Sequence, residues 1–139
     1  MPTFNVGSFE DEESAIRFVR LAVFVEEQGI PRAEEFDDAD PTCIHIVARS
    51  DGHPVGTGRL SPTGRIGRVA VVRTERGRGV GRALMKRLER EASDRGIRRL
   101  WLAAQVAAVP FYERLGYRQK GDPFIEAGIP HRWMERAPT

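Results

Sequence analysis

A glycine-rich turn at residues 76–81 carries the clearest chemical pattern in the sequence. It runs Arg-Gly-Arg-Gly-Val-Gly, follows an apolar stretch at residues 69–72 and precedes a helical pattern at residues 82–95. A strand that enters such a turn and leaves as a helix gathers free backbone N–H groups and the positive end of the helix dipole at one point. We therefore predict an anion site here, and phosphate is the anion that such turns commonly hold.

Two familiar phosphate-binding patterns do not fit this turn. The Walker sequence requires Gly-x-x-x-x-Gly-Lys-Ser/Thr, and this spacing is absent from the chain. The dinucleotide pattern Gly-x-Gly-x-x-Gly fails because Arg82 stands where the third glycine belongs. That pattern also follows the first strand of its fold, whereas about three strands are predicted before this turn. The ligand therefore needs a different kind of binding loop.

The elements that must position this turn alternate between strands and helices. Period-two apolar runs predict strands at residues 3–8, 43–48, 54–60, 65–72, 97–104, 117–120 and 131–135. Helical periodicity predicts helices at residues 11–28, 82–95 and 107–115. We expect an α/β domain with a mixed sheet, in which residues 65–104 form a right-handed parallel crossover.

Two segments lack a periodic pattern. Residues 29–42 contain two prolines and a group of acids, and we interpret them as a loop or broken helix. Their carboxylates are interpreted as solvated, with attraction of a cationic acceptor as the alternative. Residues 121–130 are punctuated by glycine and proline, so no strand is predicted there.

Length and composition restrict the class of protein. The 139 residues predict a single domain, 1–139, and 40% apolar with 30% charged residues is typical of a globular protein. A net charge of +2 gives little support for nucleic acid as a partner. No apolar run approaches the ~20 residues of a membrane span, and no signal peptide is recognisable. Cys43 is the only cysteine. We therefore expect a cytoplasmic protein with no metal site, no disulfide and no membrane partner.

The glycine turn, taken as Arg76, Gly79 and Gly81, resembles the Arg-x-x-Gly-x-Gly coenzyme A pyrophosphate loop of the GNAT superfamily of N-acetyltransferases. Residues 105–117, with the sequence Gln-Val-Ala-Ala-Val-Pro-Phe-Tyr-Glu-Arg-Leu-Gly-Tyr, resemble the second signature of that superfamily. The predicted element order also matches the GNAT fold. The resemblance implies a mixed sheet of about six to seven strands flanked by helices and splayed between strands four and five.

A narrower resemblance concerns both ends of the chain. Residues 23–31, the acidic segment that follows, His45 and residues 128–131 look like a small bacterial GNAT subgroup. The substrates of most of its members are uncharacterised. This resemblance therefore narrows the family and leaves the acceptor unnamed.

The resemblance implies how acetyl-CoA is held. The backbone of the fourth strand would pair with the pantetheine arm, with the Val71 amide near the thioester oxygen. The turn would bind the pyrophosphate through its backbone, with charge added by Arg76 and Arg78. Gln105 stands where the superfamily has Asn or Gln and keeps an amide for hydrogen bonding. The implied cofactor residues are Val69, Ala70, Val71, Arg76, Gly77, Arg78, Gly79, Val80, Gly81, Arg82, Gln105 and Tyr112.

The resemblance also implies a general acid and leaves the general base open. Tyr112 would protonate the departing thiolate, the alternative being that its ring only packs against the cofactor. The candidates for the base are Glu27, His45, Glu126 and His131. The last two are preferred because they lie in the region that usually lines the acceptor pocket, whereas His45 also fits a core histidine.

These observations predict an acetyl-CoA-dependent N-acetyltransferase that acetylates a primary amine of a small molecule by direct attack in a ternary complex. A coenzyme A-binding sensor or interaction module without catalysis is the alternative. Cys43 is disfavoured as an acyl-carrying nucleophile because no neighbouring histidine pattern activates it. Trp101 and Trp133 are interpreted as core or pocket wall. A homodimer is compatible with the resemblance, since many members pair as dimers.

Overall fold

The structure is a computed structural model that describes residues 2–35 and 37–136, except for the side chain of Glu34. Its strands are β1 (Thr3–Ser8), β2 (Ile44–Ser50), β3 (His53–Leu60), β4 (Arg65–Val71), β5 (Leu100–Gln105), β6 (Arg118–Glu126) and β7 (Ile129–Arg136). These seven form one sheet in the order β1-β2-β3-β4-β5-β7-β6. The β4–β5 pair is parallel and the other neighbours are antiparallel. The predicted α/β class with a mixed sheet is confirmed.

Helices flank this sheet. They are α1 (Phe9–Arg20), which continues as a π-helical segment (Leu21–Glu27), α2 (Arg32–Glu35), α3 (Val80–Asp94) and α4 (Val109–Arg114). Ser8 caps α1, because its hydroxyl oxygen accepts a hydrogen bond from the Asp11 N–H at 3.1 Å. In the described part of the chain, none of the helices has the length and apolar character needed to cross a membrane.

The main core lies between α3 and the sheet. Leu84 and Leu88 are fully buried on α3, and each contributes roughly 1.5–3 kcal/mol by leaving water. They pack directly onto β3 at Gly56 and Gly58, where an added Cβ would lie 2.9 Å from a leucine δ-carbon. These glycines therefore let α3 approach the sheet, which fixes the glycine turn at the start of α3 relative to β4.

β4 and β5 pair at one end only. The parallel register joins Arg65 to Trp101 and Ile66 to Leu102, and no pairing follows although β4 continues to Val71. The two strands therefore part towards their C-terminal ends. The predicted splay between the fourth and fifth strands is confirmed.

A β-bulge in β4 accompanies this separation. Thr57 and Arg59 of β3 face Ala70 and Gly67 of β4, so β4 has one more residue than its partner here. Arg68, within the bulge, has a φ of 51°, which is unusual for a residue with a side chain. The bulge bends β4 and turns the Arg68 side chain towards the gap.

The last two strands are longer than predicted. β6 and β7 form a hairpin through residues 121–130, so the prediction that this segment holds no strand was wrong. The register shifts between Lys120 and Phe124, and this irregularity absorbs the glycine and proline that hid the strand pattern. Ala127 and Gly128 make the turn with positive φ values of 52° and 74°. The hairpin brings Glu126 and His131 to the gap between β4 and β5.

Candidate active site

A cavity of about 550 Å³ lies where β4 and β5 part. Its walls come from β4, the end of β5, the π-helical segment, α4 and the β6–β7 turn. The predicted site residues that line it are Val69, Ala70, Val71, Arg76, Gln105, Tyr112, Glu126 and His131. The glycines and arginines at residues 77–82 lie outside this lining, at the start of α3. The fold thus collects the predicted acid, the preferred bases and the β4 backbone around one space.

The edge of β4 presents backbone hydrogen-bonding groups to this space. The Val72 N–H donates to the carbonyl oxygen of Val55 on β3 at 2.9 Å. Because successive residues of a strand direct their backbone groups to opposite sides, the N–H and C=O of Val71 face the gap. The Val71 oxygen accepts a hydrogen bond from Nε of Arg76 at 2.9 Å. An extended ligand could pair with the Val71 N–H as an added strand would.

The glycine turn has the backbone geometry that the anion hypothesis requires. Gly77 and Gly79 have φ values of 78° and 83°, in the region where a side chain is unfavourable. Gly79 is the N-cap of α3 and provides no side-chain cap, so the first N–H groups of the helix keep their hydrogen-bonding capacity. A Cβ at either glycine would meet nothing within 4 Å. Conformation, rather than packing, therefore favours glycine here.

Arg76 is held by an acidic residue that the sequence analysis treated as a candidate base. Its Nη1 and Nη2 donate to the two carboxylate oxygens of Glu27 at 2.5 and 2.6 Å. This hydrogen-bonded pairing lowers the pKa of Glu27 and raises that of Arg76. Glu27 is therefore better placed to orient Arg76 than to accept a proton. The two residues are far apart in sequence, so no local pattern connects them.

Tyr112 projects into the cavity from α4, whose first turn contains Pro110. Its ring makes edge contacts with Phe111 and Tyr117, with ring centroids 5.0 and 6.1 Å apart. Burial raises the pKa of Tyr112 to about 12. The phenol therefore stays protonated at neutral pH, as a proton donor must.

His131 and Glu126 meet at the β6–β7 turn. Nδ1–H of His131 donates to the carbonyl oxygen of Ile129 at 2.7 Å, which leaves Nε2 of the neutral ring as an acceptor. Nε2 lies 3.9 Å from a carboxylate oxygen of Glu126, whose side chain is 53% exposed. Phe124 stacks on the imidazole, with 5.5 Å between ring centroids. The histidine is thus fixed in one orientation with a lone pair available.

Gln105 closes the cavity towards the π-helical segment. It lies at the end of β5 opposite His131, and its Nε2 donates to Oε1 of Gln28 at 2.8 Å. This contact joins β5 to the segment after α1 across the gap. The amide that we expected beside the cofactor is therefore engaged with a neighbouring side chain in this structure.

His45 and Cys43 lie away from the cavity. His45 is buried on β2, and its Nε2–H donates to the carbonyl oxygen of Asp40 at 2.9 Å. Burial lowers its pKa, so the ring is neutral and its role is that of a core histidine. Burial raises the pKa of the Cys43 thiol, which disfavours the nucleophilic thiolate.

Two acids of the segment before β2 are buried within the protein rather than solvated. Asp40 is 2% exposed, and its carboxylate accepts hydrogen bonds from Arg20 and Arg59, each at 2.8 Å. Glu35 is also buried and binds Arg20 at 2.9 Å. The interpretation of these two acids as solvated was wrong, because arginines distant in sequence neutralise them.

The same network reaches the cavity through Asp37 and Arg68. Asp37 binds Arg59 at 2.7 Å and Arg68 at 3.1 Å. Hydrogen bonds from Arg59 lower the pKa of Asp37 to about 2. For Asp40, burial opposes ionisation, but the contacts of Arg20 and Arg59 outweigh it and lower the pKa. Charged partners therefore hold the acidic segment against β4 beside the bulge.

Comparison with known proteins finds a matching family, related sequences and solved structures with the same fold. The Acetyltransferase (GNAT) domain family matches residues 11–137. The uncharacterized N-acetyltransferase YjcF of Bacillus subtilis (strain 168) is 42% identical over 133 residues, covering 93% of this chain and 95% of that protein. An acyl-CoA N-acyltransferase from Pseudomonas aeruginosa superposes with a TM-score of 0.89 at 29% identity, covering 99% of this chain and 100% of the other. ElaA from Escherichia coli gives a TM-score of 0.87 at 27% identity, covering 98% and 99%.

Proposed function

Because the chain belongs to the GNAT family of acetyltransferases, we propose that it transfers an acetyl group from acetyl-CoA to a primary amine of a small molecule. Family membership makes the protein an N-acetyltransferase that uses an acyl-CoA. The acetyl donor, the small acceptor and direct attack in a ternary complex are the proposal, with residues 1–139 acting as one domain. The observation that carries it is the cavity in which the edge of β4 meets Tyr112, His131 and Glu126.

The residues present fit an acyl-CoA. When bound, acetyl-CoA supplies a thioester whose acetyl group is transferred and whose sulfur leaves as a thiolate. The outward N–H of Val71 is a donor for the thioester oxygen, where negative charge develops. The backbone of residues 77–82 holds the pyrophosphate at the start of α3. Arg76 adds positive charge at the same end, with its guanidinium oriented by Glu27.

The proton transfers are assigned to the two sides of the cavity. As the bond from the amine nitrogen to the acetyl carbon forms and the carbon–sulfur bond breaks, Nε2 of His131 accepts the amine proton. Glu126 stabilises the resulting imidazolium across 3.9 Å. The Tyr112 hydroxyl gives its proton to the leaving sulfur.

Release of free thiol tests the proposed function. The protein is incubated with acetyl-CoA and a panel of primary amines, and both free coenzyme A and the acetylated amine are measured. Turnover of a small amine supports the proposal. Coenzyme A binding without thiol release on any amine would favour the non-catalytic sensor. Absence of an acetyl adduct on the protein, together with full activity of Cys43→Ser, supports direct attack.

The base assignment has its own test. His131→Gln removes the proton acceptor while keeping a polar side chain, so kcat/KM for the amine is expected to fall by about 10² or more. Glu126→Gln is expected to have a smaller effect, because Glu126 acts on the imidazolium and is largely solvated. The reverse order of effects would assign the base to Glu126.

A further inference from the structure

Three arginines line the cavity, and they differ in their partners. Arg76 is paired with Glu27, while Arg68 lies 3.3 Å from Glu35 and also contacts Asp37. The guanidinium of Arg65 has no hydrogen bond or ion pair with any residue in the described part of the chain. Its N–H donors are therefore available to a ligand.

Arg65 is nevertheless held in place. Its guanidinium carbon lies 5.3 Å from the ring centroid of Trp101 and 5.3 Å from that of Trp133. The Arg65 backbone N–H donates to Oγ of Ser61 at 3.0 Å, and the Ser61 N–H donates to the Arg65 oxygen at 2.9 Å. Contact with aromatic rings restrains a guanidinium through cation–π attraction, and its N–H groups can still bind a carboxylate.

Arg65 contacts the same face of β7 that carries the proposed base. Trp133 and His131 are two residues apart on β7, so their side chains share one face of the sheet about 7 Å apart. Phe124 stacks on both rings, with centroid distances of 4.9 Å to Trp133 and 5.5 Å to His131. A row of aromatic rings, formed by Trp101, Trp133 and Phe124 outside the cavity lining, therefore connects Arg65 to the proposed base.

The charged side chains at the two ends of this row of rings have opposite signs. Glu126 lies beside His131, whereas Arg65 contacts the rings of the two tryptophans. Such an arrangement is complementary to a molecule that carries an ammonium at one end and an anion at the other. We propose, on the basis of the proposed function, that Arg65 binds a carboxylate of the acceptor. The substrate class is then small amino acids whose amine and carboxylate are separated by a short aliphatic chain.

Matched acceptors test this assignment. Initial rates are compared for 6-aminohexanoate, shorter ω-amino acids and the corresponding unbranched alkylamines such as hexylamine. We expect kcat/KM to favour the carboxylate-bearing amine by roughly tenfold or more, because charge-assisted hydrogen bonds to a guanidinium carry that discrimination. Equal values for 6-aminohexanoate and hexylamine in the wild-type protein would overturn the proposal.

Substitutions of Arg65 test whether this residue causes the preference for a carboxylate-bearing amine. Arg65→Gln is expected to raise KM for 6-aminohexanoate and to bring the preference over hexylamine towards unity. Arg98→Gln, an exposed arginine before β5, is the matched control and should keep the preference. If Arg65→Gln fails to fold, Arg65→Lys, which keeps the charge but lacks the planar fork, should reduce the preference. An undiminished preference in the folded variant would refute the assignment.

A binding measurement separates this inference from the proposed function. The chain contains only two tryptophans, and both contact Arg65, so intrinsic fluorescence reports on this site. Hexanoate, which has no amine, should change the emission saturably in the wild type and much less in Arg65→Gln. This result would support the anion site even if no amine were acetylated. A protein that turns over amines but shows neither hexanoate binding nor a carboxylate preference would retain the function and lose the inference.

Discussion

Tyr112 carries the most direct prediction at the scale of single residues. Tyr112→Phe should lower kcat by roughly 10², since the sulfur then leaves without its proton donor. Because burial raises the pKa of Tyr112 to about 12, the wild-type acid stays protonated through the neutral and mildly alkaline range. Any loss of activity with rising pH below about 10 should therefore come from another group. Steady-state kinetics as a function of pH measure both effects.

Tyr117→Phe is the matched control for this substitution. Tyr117 lies just after α4, its hydroxyl donates to Glu89 at 2.9 Å, and it does not line the cavity. Its removal should cost about 1–2 kcal/mol of stability and leave kcat largely intact. If both variants lost the same fraction of kcat, disturbed packing around α4 would explain the result and the acid role of Tyr112 would be rejected.

At this scale, the sequence indicated site residues that lie near recognisable signatures. Tyr112 was predicted through the Phe-Tyr signature, and His131 through its place in the loop–strand region that usually lines the acceptor pocket. The Glu27 contact with Arg76 was missed because ion pairs between distant residues leave no periodic pattern. Arg65 was missed for a similar reason, since the role that we propose for it depends on two tryptophans from different strands.

The glycine turn provides a prediction at the scale of elements. Gly79→Ala should cost about 1 kcal/mol of stability, because alanine is strained at a φ of 83°. It should also raise the KM for acetyl-CoA by about tenfold or more, since the new Cβ lies where the phosphates approach the backbone. Chemical denaturation and steady-state kinetics give the two numbers.

Gly96→Ala separates strain from ligand contact. Gly96 follows the other end of α3 with a φ of 72°, and a Cβ there also meets nothing within 4 Å. This variant should lose a similar amount of stability. An unchanged KM for acetyl-CoA in Gly96→Ala, with an increase in Gly79→Ala, would place the phosphates at the glycine turn. Equal KM values in both variants would remove the turn from the cofactor site.

The buried ion network gives a second element-scale prediction. Asp40→Asn leaves the guanidinium groups of Arg20 and Arg59 without their shared carboxylate in the interior. The expected cost is about 3–5 kcal/mol of unfolding free energy, measured by urea denaturation. Glu13→Gln is the control, because the Glu13–Arg17 pair is largely exposed and should contribute less than about 1 kcal/mol. A loss below 1 kcal/mol for Asp40→Asn would show that the network is not tightly coupled to folding.

The order of the elements was predictable, whereas the irregular parts of the chain were not. Apolar periodicity identified β1 to β5 and the helices that cover them. The strands of the β6–β7 hairpin were predicted too short because Gly121 and Pro123 interrupt the strand pattern. In the structure, a register shift accommodates these two residues. The acidic segment was assigned to solvent because carboxylates are usually exposed. In the folded protein, ion pairs with Arg20, Arg59 and Arg68 reverse that preference for Glu35 and Asp40.

At the scale of the whole molecule, the sheet has few pairings between β4 and β5. Between β4 and β5, only Arg65 with Trp101 and Ile66 with Leu102 are paired, so a ligand in the gap can act as part of the sheet. A ligand that binds only the folded state adds about 2.7 kcal/mol of stability at a hundred times its Kd. Coenzyme A should therefore raise the unfolding midpoint, and it should slow backbone hydrogen exchange most strongly where β4 and β5 part.

Hydrogen exchange of backbone amides measures where that protection falls. We expect coenzyme A to slow exchange at Val71, whose N–H faces the gap, and at residues 77–82 in the glycine turn. Adenosine 3′-phosphate 5′-diphosphate, which keeps the pyrophosphate but lacks the pantetheine arm, should protect the turn and leave Val71 unchanged. Protection spread evenly over the sheet, or confined to the turn with intact coenzyme A, would contradict pairing of the arm with β4. Selective protection of Val71 by the intact cofactor would instead identify the parted strands as the physical basis of cofactor binding.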